Sequence, residues 1–218
     1  MNEETIHFNF QARYFKVGDI HSQTQQIWFV LHGYGQLARF FLKKFSSLEN
    51  PNTCIIAPEG LSHFYLEDIA SRSQSGNQKV GATWMTRENR LMDIKNYIHY
   101  LNTIYQREVP NAFTGQISVL GFSQGAATAS RWVLDGAVPF HRLILWAGIF
   151  PPDMDFEQAA VLFSKKEIIE VYGDADPFLT VDRLKEVTQI NERLGINPRV
   201  IKFKGGHEIN SEILNQLN

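Results

Sequence analysis

Gly121-Phe122-Ser123-Gln124-Gly125 sets a hydroxyl between two glycines, directly after the apolar run Ile117-Ser118-Val119-Leu120 and directly before the small residues Ala126 and Ala127. A strand, a sharp turn and a helix in that order hold the turn serine in a strained conformation with its hydroxyl exposed, and the glycines remove side chains that would clash. Ser123 is therefore the candidate nucleophile. A hydroxyl is almost fully protonated at neutral pH, so it needs a base within hydrogen-bond reach, and imidazole is the side chain best matched to that pH. His207 leads, because Gly205-Gly206 precedes it at the end of an expected strand. His7, His99 and His141 read as surface or helix residues, His21 as part of a polar turn and His63 as a loop residue. His32 reads as a side chain whose hydrogen bond holds the turn beside it.

The base in turn needs a carboxylate to fix its tautomer and stabilise the imidazolium formed during attack. Asp174 and Asp176 follow the same apolar run. Asp176 is favoured because Pro177 fixes the backbone after it, whereas Asp174, next to Gly173, could simply cap the turn. The chain order Ser123, Asp176, His207 is that of α/β-hydrolases and differs from the chymotrypsin and subtilisin orders. Attack on a carbonyl also needs donors for the oxyanion. One is expected from the backbone N–H of Gln124, at a helix N-terminus directly after the nucleophile. The other is expected from the loop His32-Gly33-Tyr34-Gly35, with the N–H of Tyr34 favoured.

These residues must be brought together by the elements that carry them. Ile27-Trp28-Phe29-Val30-Leu31 is an uninterrupted apolar run of the kind buried on both faces of a sheet, and it ends in the glycine-bearing loop. Leu37, Phe40, Phe41, Phe45 and Leu48 then recur at helical spacing. Further strands are expected at 54–57, 143–147, 168–172 and 199–203, and helices at 86–107, 124–134, 181–194 and 208–217. Residues 6–17 alternate roughly and read as one or two edge strands. Residues 59–83 show little periodicity and read as a long loop, a candidate lid. Strand and helix alternate throughout, which implies a mostly parallel sheet covered by helices on both faces, with right-handed crossovers. In such sheets the ligand crevice lies at the carboxyl ends of the strands, where all the candidate residues fall.

Composition narrows the classes. The 218 residues are 44% apolar, enough for one domain across 1–218 with a sizeable core. Lys and Arg number 21 against 23 Asp and Glu, with no long block of one sign to track a phosphate backbone, so nucleic acid is not an expected partner. The acidic start Met1-Asn2-Glu3-Glu4-Thr5 is followed by no apolar segment suited to a signal peptide or membrane span. The single cysteine, Cys54, cannot form an internal disulfide and reads as a buried thiol. These features together imply a cytoplasmic protein without stable membrane insertion.

With Leu31-His32-Gly33-Tyr34-Gly35, Gly121-Phe122-Ser123-Gln124-Gly125, Gly173-Asp174-Ala175-Asp176-Pro177 and Gly206-His207 all in register, the chain resembles the phospholipase/carboxylesterase family of α/β-hydrolases, which includes the acyl-protein thioesterases. The resemblance covers residues 26–215 and implies an α/β-hydrolase fold with no separate cap domain. It implies Ser123 as nucleophile, Asp176 as acid, His207 as base, and Tyr34 and Gln124 as oxyanion donors, hydrolysing carboxylic esters or thioesters without cofactor or metal. Two departures concern the pocket. Gln36 stands where the family commonly carries an acidic residue, and Phe178-Leu179-Thr180 follows Asp-Pro where Val-Pro is common.

Phe64, Tyr65, Trp84, Met85, Phe150 and Phe178 lie in segments that could wall an acyl pocket, although aromatics are more often buried for packing. The reading that follows is a serine hydrolase acting on small ester substrates with short to medium acyl chains, with a homodimer left open. A long-chain thioesterase or lysophospholipase is the alternative within the same chemistry. A non-catalytic ligand-binding protein on the same fold is the alternative from another class.

Overall fold

The computed structural model describes residues 1–75, 78–136 and 138–217. Seven strands form one sheet: β1 (Tyr14–Val17), β2 (Gln26–Leu31), β3 (Thr53–Pro58), β6 (Gln116–Phe122), β7 (Arg142–Trp146), β8 (Glu167–Gly173) and β9 (Arg199–Phe203). Their spatial order is β1-β3-β2-β6-β7-β8-β9. Only β1 runs antiparallel to its neighbour; the other pairs are parallel. Two further strands, β4 (Ser62–Tyr65) and β5 (Val80–Thr83), pair antiparallel as a separate sheet, and Ala82 of β5 bridges to Gln36 in the connection after β2.

Successive residues of each central strand face opposite layers, so the sheet sorts its own core. Ile27, Phe29, Leu31, Val119, Leu143 and Leu145 pack under α3 (Arg90–Glu108), α4 (Gln124–Asp135), α5 (Phe156–Phe163) and α6 (Val181–Leu194). Trp28, Val30, Leu120, Ile144, Trp146 and Val171 face α1 (Ala38–Leu42), the 3-10 segment Lys43–Leu48 and α7 (Ser211–Gln216). Strands covered on both sides cannot alternate polar with apolar, which is why β2 is apolar throughout its buried length and β7 from Leu143 to Trp146.

Several expectations are corrected by these elements. Of residues 6–17 only Tyr14–Val17 is a strand. Residues 1–13 form no regular element and expose Ile6, Phe8 and Phe10, because no neighbouring strand receives their alternation. The stretch 59–83 is not an uninterrupted loop: it carries β4, the helix α2 (Ile69–Ser75) and β5, with residues 76–77 outside the described set. Between β7 and β8 stands α5, a helix that is not among those expected. Its N-terminus is capped by Asp155, whose Oδ1 accepts from the N–H groups of Glu157 and Gln158 at 3.0 Å each.

Candidate active site

Ser123 caps the break between β6 and α4 with φ 55° and ψ −115°, a conformation that non-glycine residues rarely adopt. The flanking glycines are required by contact as well as by chain direction. A Cβ on Gly121 would lie 2.1 Å from the carbonyl oxygen of Gly125, and one on Gly125 would lie 2.3 Å from that of Leu31. The turn is tied to the neighbouring strand by the Ser123 N–H, which donates to Trp146 O at 2.8 Å. Among the described residues the Ser123 hydroxyl has no hydrogen-bond partner.

Across the sheet, the turn after β8 and the turn after β9 interlock. Asp174 N–H donates to Phe203 O at 2.9 Å, Ala175 N–H to Gly205 O at 2.9 Å, and Asp174 Oδ1 accepts from Gly205 N–H at 3.1 Å. That interlock delivers His207 to Asp176, with Nδ1 donating to Oδ2 at 2.7 Å. The aspartate's other oxygen accepts from Phe178 N–H at 2.9 Å. The Asp176 side chain is fully buried and the His207 side chain is 20% exposed, so the carboxylate is shielded while the imidazole reaches the surface. The pairing leaves Nε2 of His207 free of the carboxylate. The ring sits between Phe122, at a centroid distance of 4.8 Å, and the exposed Phe178, at 4.7 Å. Phe122 directly precedes Ser123, which places imidazole and hydroxyl at the same end of the sheet.

The loop after β2 is built so that one amide stays open. Gly33 N–H donates to the side-chain Oε1 of Gln36 at 2.9 Å, Gly35 N–H to Ala82 O at 2.9 Å, and Gln36 N–H to Gly33 O at 3.2 Å. Tyr34 N–H has no acceptor among the described residues, and neither does the N–H of Gln124. A Cβ on Gly33 would lie 3.2 Å from Ser123 Cβ, so the loop runs directly against the Ser123 turn. Gln36, the departure noted in the sequence, thus braces the loop from within.

His32 carries the loop's base. Its ring is fully buried, Nδ1 donates to Gly33 O at 2.8 Å, and Nε2 accepts from Gly60 N–H at 3.0 Å. Burial pushes its pKa down to about 4, so it is neutral at pH 7 and holds both bonds. Trp84 stacks on it at 5.0 Å and donates from Nε1 to His32 O at 2.8 Å. The Gln124 side chain locks the next stretch, accepting from Thr83 Oγ1 at 3.1 Å and Trp84 N–H at 3.2 Å and donating to Met85 O at 3.0 Å.

The six aromatic and apolar residues expected around an acyl group separate into two sets. Phe64 stacks on Tyr34 at 5.0 Å, Tyr65 is exposed with the Arg72 guanidinium 4.0 Å from its ring centroid, and Phe178 is exposed beside His207. Met85 is half-buried at the edge of the core. Trp84 and Phe150 belong to the core instead: Trp84 is committed to His32 and Tyr97, and Phe150 packs on Phe163 at 5.1 Å. Residues missed from the sequence are Gln36 as a brace and Glu59, whose buried carboxylate accepts from Ala38 N–H at 2.9 Å. The one signal for Glu59 is an acid placed directly after the apolar residues Cys54 to Pro58 and before a glycine. Among the described residues no group of three or more His, Cys, Asp and Glu side chains could hold a metal ion, and no helix is long and apolar enough to cross a membrane.

A mostly parallel sheet with one antiparallel edge strand, helices on both faces and a strained serine at the end of a central strand define an α/β-hydrolase fold. Residues 12–218 match the phospholipase/carboxylesterase family, and the chain belongs to it, a family of hydrolases. Among solved structures, acyl-protein thioesterase 2 from Zea mays superposes with a TM-score of 0.68 at 18% identity, covering 95% of this chain and 98% of that one. The carboxylesterase of Bacillus cereus gives 0.66 at 14% identity over 96% and 92%, and esterase PE8 gives 0.65 at 21% over 95% and 96%. At these identities the likeness is one of fold. A search of curated proteins returned no match.

Proposed function

We propose that the chain is a serine hydrolase that cleaves carboxylic esters of short to medium acyl chains through an acyl-enzyme on Ser123. His207 Nε2 takes the Ser123 proton as the oxygen attacks the carbonyl carbon. Asp176 holds the imidazole in the tautomer with Nδ1 protonated and stabilises the imidazolium that forms. The developing oxyanion is received by the N–H groups of Tyr34 and Gln124. His207 returns its proton to the departing alcohol, then activates a water that releases the acid from Ser123.

The observation that carries this reading is the pairing of open and closed amides. Among the described residues Gly33, Gly35 and Gln36 have their N–H groups satisfied while those of Tyr34 and Gln124 face no acceptor, and the loop that carries Tyr34 runs against the strained serine at Gly33. Two such N–H groups without a protein acceptor are available to a carbonyl oxygen as it gains charge. The Ser123 to His207 hydrogen bond belongs to the substrate-bound state, since such bonds are commonly long before a ligand arrives.

A pre-steady-state burst with a p-nitrophenyl ester tests the two-step scheme. A second reading, action on long acyl chains, is favoured by the exposed apolar side chains of Tyr34, Tyr65, Leu66 and Phe178 near the site. Turnover compared across esters and thioesters of increasing acyl length decides between them: a sharp fall beyond short chains supports the first. A non-catalytic binding role would give no fluorophosphonate labelling.

A further inference from the structure

We infer that Glu59, which no part of the proposed chemistry uses, is a positioning residue for the oxyanion loop, acting through the backbone N–H of Ala38. The inference rests on the reading of the preceding subsection and extends it to a residue outside the reacting groups.

Residues 32–37 form the connection from β2 to α1, and two consecutive residues just after β3 hold its start and the first residue of α1. Gly60 N–H donates to His32 Nε2 at 3.0 Å, and His32 Nδ1 donates to Gly33 O at 2.8 Å, which fixes the start. Glu59 Oε2 accepts from Ala38 N–H at 2.9 Å, which fixes the end. Leu37, the N-cap of α1, makes no side-chain capping bond, so the carboxylate from the next strand supplies the acceptor that a local serine or aspartate would usually provide. Between these two anchors lies Tyr34, whose N–H is the open donor. A loop held at both ends and braced internally by Gln36 has little freedom to move that amide.

The carboxylate itself is held with care. Its side chain is only 1% exposed, and Oε1 accepts from Arg13 Nε at 2.5 Å and from His63 Nε2 at 2.9 Å. Burial alone would raise its pKa, yet hydrogen bonds from His63, Arg13 and Ala38 outweigh that and hold it below the usual carboxylate range. A buried charge that must be satisfied by three donors is an expensive way to fill a surface turn. It makes sense where the position of one of those donors matters. The neighbouring glycine is equally constrained, because a Cβ on Gly60 would lie 2.6 Å from Thr83 O.

The test compares kcat and KM of wild type, Glu59→Ala, Glu59→Gln and Ala38→Pro on a p-nitrophenyl ester, per active site titrated with a fluorophosphonate. Glu59→Ala is expected to lower kcat about 100-fold, the scale of a loss of alignment in an active site, with KM little changed. Glu59→Gln keeps one oxygen that can accept from Ala38 N–H but sets its N–H2 against Arg13 and His63, and should recover part of the loss. Ala38→Pro deletes the donor without breaking the helix, since proline is accepted at the first helical position and Leu37 already has the extended φ of −108° and ψ of 136° that a residue before proline requires. It should lower kcat in the same direction. If thermal melting shows that Glu59→Ala does not fold, the other two variants carry the comparison. The inference is overturned if the folded variants keep wild-type kcat, if Glu59→Gln loses as much as Glu59→Ala, or if the whole effect falls on KM. Full activity of Ser123→Ala would instead overturn the proposed chemistry, which separates the two failures.

Discussion

Asp174 and Asp176 leave β8 two residues apart, yet only Asp176 meets the imidazole: its Oδ2 accepts from His207 Nδ1 at 2.7 Å, whereas Asp174 Oδ1 accepts from Gly205 N–H at 3.1 Å. One carboxylate orients the imidazole proposed as base and the other fastens the turn that delivers it. Asp176→Asn would present an amide N–H to Nδ1 and enforce the wrong tautomer, so kcat should fall about 10⁴-fold. Asp174→Asn retains an oxygen for Gly205 and should leave kcat close to wild type. Steady-state kinetics on both variants separate the two roles, and equal losses would contradict the assignment.

His32 gives a pH dependence with a definite sign. Its pKa is near 6.5 when unfolded and is lowered to about 4 by burial in the native state, so between these values the unfolded chain binds the proton more tightly. Stability is full above pH 6.5 and is lost as pH falls toward 4, by about 3 kcal/mol for this group. Urea unfolding of wild type and His32→Gln across that window measures it. The variant should be less stable at pH 7 but should show a shallower decline on acidification.

The Gln124 side chain and its backbone have separate functions. Gln124→Ala leaves the main-chain N–H in place but deprives Trp84 N–H of its acceptor at 3.2 Å and Met85 O of a donor at 3.0 Å. An unmade bond to a buried or half-buried polar group costs about 1–3 kcal/mol. The variant should therefore melt earlier by chemical denaturation while its serine still reacts with a fluorophosphonate. Loss of labelling in a folded Gln124→Ala would mean that the side chain, and not only the amide, serves the reaction.

Much of this arrangement is legible in the residues. The helix at 181–194 and the strand at 199–203 match the observed α6 and β9, because strong periodicity and bounding turns agree there. The glycine contacts around Ser123 follow from the motif itself. What escaped is what depends on partners distant in the chain. The alternation of Ile6, Phe8 and Phe10 suggested a strand, but strand formation needs a neighbour and none is present there. The short strands β4 and β5 are too polar and brief to announce themselves. α5 did leave a signal, with Asp155 as cap and apolar residues at 156, 159 and 163, which the nearby Pro151-Pro152 obscured. Trp84 and Phe150 looked like pocket walls because sequence gives size and not direction. Glu59 was invisible as a support, since its contacts reach back 21 residues to Ala38 and 46 to Arg13.

Intact-mass and peptide mass spectrometry after reaction with a fluorophosphonate, on wild type and on Ser123→Ala, tests the central claim most directly. The account predicts one adduct per chain on Ser123, with ester turnover lost in parallel, and neither adduct nor turnover in Ser123→Ala. A stable adduct on another residue, or wild-type turnover in Ser123→Ala, would contradict it.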